Sequence, residues 1–368
     1  MDGIRLGTVG SGTIVRSILD AVRVTPGIRL EAVYSRSPEK AERLAADYGA
    51  ASVYSDMDAF LADPAVNFVY IATPNSLHFA QAKRALLAGK NVILEKPFCP
   101  CTEEAAELVA LARENGLFLV DATPTAFLPG LGVLRRELPA LGRIRAVQAN
   151  YSQYSSRLAR LAAGELPPVF DPAFCGGCLM DLGYYNVYVN AALFGRPRAV
   201  RYEPRYLSES FFADAGNAPD AMERPRTADI AGTLTLDYGD FTSTNFAAKD
   251  IPGVSFFQIS GERGSLYVAG GSNGLSRIFR ITKEGTEELT EGCNAAEGAS
   301  SADGASPVFA EPSPERWAVE IRNLVPLLLA EDHAALDERL RVMLDTVSIL
   351  EEARKSSVTE RKEPPCPQ

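Results

Sequence analysis

Histidine is nearly absent from this sequence, cysteine is sparse, and neither an excess of basic charge nor a long apolar run is present. Only two histidines, His78 and His333, occur in 368 residues, so a site built on paired histidine ligands is excluded. Six cysteines in a chain of this length do not form a disulfide framework. Cys175-Gly176-Gly177-Cys178 is a CxxC that could be redox-active or half of a metal site. No second CxxC completes it, so Cys175 and Cys178 are expected to be small buried thiols in a reducing, cytoplasmic compartment, with no bound metal. The net charge of −10 argues against a nucleic-acid or anionic-membrane surface, either of which would need a basic face. No window has the uncharged apolar length of a bilayer span. Met1 to Val9 carries no basic region followed by a long apolar stretch, so no signal peptide is expected.

What is present fits an ordinary soluble globular protein. Hydrophobic residues make up 46% and charged residues 23%. At 368 residues the chain is long for one core, so two domains are expected. The first part alternates strand and helix. Strands are predicted at Ile4–Val9, Leu30–Tyr34, Phe68–Ala72, Val92–Leu94 and Leu117–Val120. Helices lie between them, each opened or closed by Gly, Pro or Ser. Repeated βα units with near-continuous apolar strands imply a doubly wound parallel sheet. After Asp121 the texture changes to alternating strands near 144–151, 228–236, 241–247, 255–260, 265–269 and 276–282. Helices are expected at 130–138, 180–194, 314–328 and 335–355. This second part reads as an α+β domain with a large, mostly antiparallel open sheet. One face would be covered by helices and the other solvated or buried in an oligomer. The expected boundaries are 1–122 for the dinucleotide-binding domain, 123–358 for the substrate and oligomerisation domain, and 359–368 for a tail. Segments 208–226 and 292–312, rich in Gly, Ala, Ser, Asp and Pro, read as loops.

Gly10-Ser11-Gly12-Thr13-Ile14-Val15 follows a strand and opens a helix, the context a dinucleotide fingerprint requires. Gly10 permits the tight turn, and Gly12 lets backbone approach a pyrophosphate at the helix N-terminus. Val15 stands where a smaller residue is usual, and would push the helix slightly off the strand. An NAD site usually carries a carboxylate after the second strand. This chain has Tyr34-Ser35-Arg36-Ser37 with Lys40 a turn later. An Arg beside two hydroxyls suits a 2′-phosphate, which favours NADP over NAD. The alternative is that Arg36 only stacks on adenine.

Glu95-Lys96-Pro97 ends an apolar strand, so Lys96 points into the crevice where such sheets bind ligands. Taken alone it could be a surface Lys-Pro. Asp181 and Tyr185, in Gly176-Gly177-Cys178-Leu179-Met180-Asp181-Leu182-Gly183-Tyr184-Tyr185, are spaced i, i+4 and would project from one helix face. A carboxylate and a phenol presented together can share a substrate hydroxyl and manage its proton. Taken alone, they could equally be a helix cap and a core tyrosine.

Together these elements, with Ala72-Thr73-Pro74-Asn75 and His78, resemble the Gfo/Idh/MocA oxidoreductases over essentially the full length. The resemblance implies that Lys96 contacts substrate and cofactor, that the peptide before Pro97 is often cis, and that Asp181 and Tyr185 complete the active site. Ala72, Thr73, Pro74, Asn75, His78 and Glu95 would belong to the cofactor side, with Asn75 and His78 along the nicotinamide ribose. Inositol-dehydrogenase-like members carry a His at the last position, and Tyr185 looks instead like the glucose–fructose oxidoreductase and dihydrodiol-dehydrogenase branch.

The expected activity is therefore hydride transfer between NADP and a carbinol or carbonyl carbon of a sugar-like or cyclic polyol substrate. Tyr185 would manage the proton, Lys96 would stabilise charge on the reacting oxygen, and Asp181 would hold a substrate hydroxyl or orient Lys96. Arg157 is a further candidate for substrate contact. A homodimer or higher homo-oligomer through the second sheet is expected. The rival class is a regulator or sensor that binds NAD(P) on the same fold without chemistry. It should have lost Lys96 or the Asp181/Tyr185 pair, and this sequence retains all three.

Overall fold

The computed structural model describes residues 3–207, 211, 227–289 and 316–359. Apart from Phe211, the segments expected as loops near 208–226 and 292–312 lie outside the described residues, as does the tail after 359.

The chain divides into two compact units, one formed by Met1–Phe127 with Pro314–Val347 and the other by Leu128–Ser313 with Ser348–Gln368. The first holds a six-stranded parallel sheet in the order β3-β2-β1-β4-β5-β6. Its strands are β1 (Ile4–Val9), β2 (Ile28–Tyr34), β3 (Ser52–Tyr54), β4 (Phe68–Ile71), β5 (Asn91–Glu95) and β6 (Leu119–Ala122). β4 and β6 are buried at every position, as expected of strands covered on both faces. The helices between them are α1 (Thr13–Val24), α2 (Pro38–Tyr48), α3 (Met57–Ala62), α4 (His78–Leu87) and α5 (Thr102–Glu114). Ser37 stands at the start of α2 but makes no side-chain cap; Pro38, with its fixed φ, opens that helix. The strand order reverses between β1 and β4, which opens the crevice at the carboxyl ends of these two strands.

Two later helices change the expected boundary. α6 (Pro129–Glu137), α7 (Leu158–Ala162) and α8 (Tyr184–Phe194) belong to the second unit, whereas α9 (Arg316–Leu329) and the first part of α10 (His333–Thr359) return to the first. The reason is apolar: Ile321, Leu324, Val325 and Leu328 of α9 join the core built by Val15, Ile18, Leu19 and Val22 of α1. Four such side chains at about 1.5–3 kcal/mol each are enough to fix the helix there. His333, at the start of α10, lies flat on Phe118 with ring centroids 4.5 Å apart.

The second unit is built on eight strands in the order β14-β13-β12-β11-β7-β10-β9-β8. They are β7 (Ile144–Ser152), β8 (Ala199–Arg205), β9 (Ala231–Asp237), β10 (Thr242–Ala248), β11 (Phe256–Gly261), β12 (Ser265–Ala269), β13 (Arg277–Thr282) and β14 (Gly285–Glu288). All pairs are antiparallel except β7 with β10. Residues alternate in burial. Phe257, Ile259, Leu266, Val268 and Ile278 fill one face, while Phe256, Tyr267 and Phe279 form a half-buried aromatic ladder on the other, with centroid spacings of 6.2 and 6.4 Å.

Candidate active site

In the first unit, β1 delivers the chain to Gly10 at φ +120°, a left-handed conformation that glycine adopts without strain. A Cβ at Gly10 would stand 2.6 Å from the carbonyl oxygen of Ala72, the residue after β4. Gly10 is thus required by the close approach of the two strand ends. Gly12 differs: it caps α1, is exposed, and a Cβ there would meet nothing within 4 Å. Its open side, with Ser11, Thr13 and Ile14 beside it and no acidic residue in the first turn of α1, is the cradle a pyrophosphate needs. The residues therefore fit a dinucleotide. Val15 is fully buried in the core between α1 and the sheet.

At the end of β2, Arg36 and Lys40 are exposed, and Ser37 is half-buried. Ser35 is nearly buried, and its hydroxyl oxygen accepts from the Ser37 amide at 3.2 Å.

After β4, Ala72, Thr73, Pro74 and Asn75 are partly exposed, and Asn75 opens a single 3-10 turn, Asn75–Leu77. His78 is fully buried, with Nε2 2.9 Å from the carbonyl oxygen of Thr73 and Nδ1 3.0 Å from that of Pro97. Its ring lies between two main-chain carbonyls, only one of which a neutral imidazole can donate to. Burial lowers its basicity, against the hydrogen bonds, and the nearby Lys96 charge acts in the same direction as burial. The Lys96–Pro97 peptide is cis, and Lys96 is partly exposed. Glu95, also expected on the cofactor side, is buried at 6% exposure: Tyr70 donates to its Oε1 at 2.5 Å, and its Oε2 accepts from the Lys96 amide at 3.2 Å. Burial pushes this carboxyl up, while Tyr70 and Lys96 oppose the shift. The structure thus places Glu95 and His78 as supports around Lys96 and Pro97.

In the second unit, Gly177 sits at φ +124°, and a Cβ there would fall 2.1 Å from Oδ1 of Asp229. Asp229 organises this turn. Its carbonyl accepts from the Cys178 amide at 2.8 Å, and its Oδ2 accepts from the Leu179 amide at 2.8 Å and the Tyr202 hydroxyl at 2.6 Å. The segment that follows is a π-helical turn, Leu179–Gly183, running into α8, rather than the α-helical start that the i, i+4 spacing suggests. Such widened turns cost regular hydrogen bonding and recur at functional sites. Asp181 lies in this turn with its side chain 33% exposed, ion-paired with Lys249. Tyr185 is buried at 5%, edge-on to Tyr151 and Tyr184. Below it, Asn186 accepts from Ser272 at 2.6 Å and donates to the Phe246 carbonyl at 3.2 Å, fixing the helix on the sheet.

Arg157 is exposed at the start of α7. Cys178 is fully buried, and burial, with Asp229 nearby, pushes its thiol well up. Cys175 accepts a hydrogen bond from Arg354 at 3.2 Å. Among the described residues no group of three or more His, Cys, Asp or Glu is arranged to hold a metal ion, and no helix is long and apolar enough to cross a membrane. Lys249, Asp229 and Tyr202 were missed by sequence reasoning. The sequence signal beside them is the Gly176-Gly177 pair, where a Cβ would meet the Pro168 and Val169 backbone at the first and the Asp229 carboxylate at the second.

Residues 4–122 match the oxidoreductase family with an NAD-binding Rossmann fold, Gfo/Idh/MocA, and residues 138–267 match the Gfo/Idh/MocA C-terminal domain. The chain is 37% identical over 265 residues to the uncharacterized oxidoreductase YgjR of Escherichia coli, covering 72% of this chain and 76% of that protein. It is 34% identical, over the same shares, to the scyllo-inositol 2-dehydrogenase (NADP+) IolU of Bacillus subtilis. Among solved structures, the 3-ketoreductase KijD10 of Actinomadura kijaniata with NADP and TDP-benzene superposes with a TM-score of 0.75 at 21% identity, over 96% of this chain and 98% of that one. The chain belongs to the Gfo/Idh/MocA family of NAD(P)-dependent oxidoreductases.

Proposed function

We propose that this protein is an NADP-preferring dehydrogenase or reductase acting on a carbinol or carbonyl carbon of a cyclic polyol or sugar-like substrate. The observation that carries the reading is the π-helical turn that holds Asp181, charge-paired and part-exposed, one turn before a buried Tyr185. Asp181 accepts from a substrate hydroxyl, and Tyr185 gives or takes the proton of the reacting oxygen. Lys96 places positive charge at that oxygen, which stabilises it most when its negative charge is greatest. Gly10–Ile14 would hold the dinucleotide, with Arg36, Ser37 and Lys40 at its 2′-phosphate, and when bound it would supply or accept the hydride. NADP is supported by the absence of a carboxylate from Tyr34 to Ser37 and by the two exposed cations there. A cyclic polyol is supported by the likeness to IolU. The half-buried aromatic ladder of β11, β12 and β13 is the face we assign to a homodimer.

The test is a screen of inositols, sugars and their keto forms with NADP(H) and NAD(H), followed at the absorbance of the reduced cofactor. Turnover that survives Tyr185→Phe and Asp181→Asn undiminished would overturn the reading.

A further inference from the structure

Lys249 follows β10, and its backbone is pinned on both sides. Its amide donates to the Ile230 carbonyl at 2.9 Å, and its carbonyl accepts from the Ser155 amide at 2.8 Å. The side chain is only 4% exposed, and its ammonium donates to Oδ2 of Asp181. The same ammonium stands 5.9 Å from the centre of the Phe170 ring, so an aromatic face lies near a cation held mostly out of water. Burying an ammonium is costly, and a buried ion pair is weak evidence for stability. What such a pair does supply is fixed geometry.

Asp181 is the carboxylate that ammonium contacts directly, while Asp229 feels its charge. Asp229 has its Oδ2 taken by Tyr202 and Leu179, and the Cys178 thiol, pushed up by burial, stays neutral. Asp181 in turn is not oriented by its own helix alone: a side chain from a different element, fixed by the sheet register, holds one oxygen of its carboxylate, while the residue remains one-third exposed.

We propose that Lys249 is a positioning residue of the substrate half-site, holding Asp181 as an oriented, one-third-exposed carboxylate that anchors a substrate hydroxyl. This rests on the assignment of Asp181 to that half-site. Lys249 acts through Asp181, so its removal should matter only while Asp181 is present.

The experiment is a double-mutant cycle of Lys249→Met and Asp181→Asn, assayed with scyllo-inositol and NADP and with the polyol turned over fastest in the screen. Lys249→Met should lower kcat/KM roughly 10–100-fold, the size expected for loss of a charged hydrogen-bond partner. Most of the loss should appear in the substrate KM, with NADPH affinity unchanged. The double variant should lie within about threefold of Asp181→Asn alone. If Lys249→Met does not fold, Lys249→Gln removes the charge and keeps one N–H donor, and it should show the same KM-weighted loss. A fall in Tm with kcat/KM unchanged, or losses that multiply in the double variant, would make Lys249 merely structural. If Asp181→Asn costs activity and Lys249→Met does not, only the assignment of Lys249 falls. If Asp181→Asn costs nothing, the proposed active site falls with it.

Discussion

Tyr70 donates its phenolic hydrogen to Oε1 of Glu95 at 2.5 Å, and both residues are buried beneath the Lys96–Pro97 turn. The bond satisfies one oxygen of a carboxyl that water does not reach. Tyr70→Phe keeps the ring and its packing and removes only the donor. We expect it to destabilise the fold by about 1–3 kcal/mol, the usual cost of leaving a buried acceptor unsatisfied. Urea denaturation of the two proteins checks this, and a difference near zero would mean that Glu95 is satisfied without Tyr70.

Glu320 of α9 gives a pH signature. It is fully buried, and among the described residues neither carboxyl oxygen has a hydrogen-bond partner. Burial, then the nearby Glu95 and Asp121, push the carboxyl well above its ordinary range, with Arg316 opposing. The folded chain therefore keeps a proton that the unfolded chain releases. The associated stability is fully present below the ordinary carboxylate range and is lost as pH rises through the folded-state value. One proton corresponds to a slope of about 1.4 kcal/mol per pH unit across that window. Glu320→Gln keeps the shape without the titration. Its Tm should gain on the wild type as pH increases from 5 to 9, and parallel Tm curves would refute the protonated assignment.

Cofactor choice is tested at Arg36. If its guanidinium reads the 2′-phosphate, Arg36→Ala should weaken NADPH binding by about 1.5–3 kcal/mol and leave NADH nearly unchanged, since NADH lacks the group. Fluorescence titration of both cofactors decides it. Equal losses would leave Arg36 as an adenine-stacking residue.

The parts of this architecture that depend on local signals were legible in the sequence. β4 and β5 carry apolar runs bounded by turn residues, and Gly10 and Gly12 announce the crevice because their conformational roles are local. β3, β8 and β14 escaped because they are short or half-exposed strands at sheet edges, with no buried face to force alternation. Pro204 further disguised β8, and an edge position is where a strand tolerates proline. The return of α9 to the first unit could not be read from the amphipathic pattern, which marks a buried face without naming what covers it. Lys249 was invisible for a related reason. It follows a strand 68 residues beyond Asp181, and only the register of that strand brings the two charges together.

The cysteines are expected to be inert. Cys175→Ser with Cys178→Ala should leave turnover intact. It should cost on the order of 1 kcal/mol in stability for the volume lost at fully buried Cys178. A folded double variant that binds NADPH but does not turn over would show that the thiols take part in the chemistry.

The catalytic assignment stands on Tyr185 and Lys96. Both are proposed to act on charge and proton at one reacting oxygen, so their removal should lower kcat more than it raises KM. Tyr185 is buried against Tyr151 and Tyr184 by its ring faces and edges, contacts that phenylalanine preserves. Tyr185→Phe should therefore leave Tm and NADPH affinity almost unmoved while turnover falls roughly 10²–10⁴-fold, the range for a positioned acid–base group. Lys96→Ala should cost a comparable factor. Because the two groups would serve the same step, the double variant should lose far less than the product of the single losses. Steady-state kinetics on the substrate found in the screen, with cofactor titration as control, measures all three. Near-wild-type turnover in Tyr185→Phe would reduce Tyr185 to a core tyrosine, and losses that multiply would separate Lys96 from the proton-transfer step and leave it a cofactor contact.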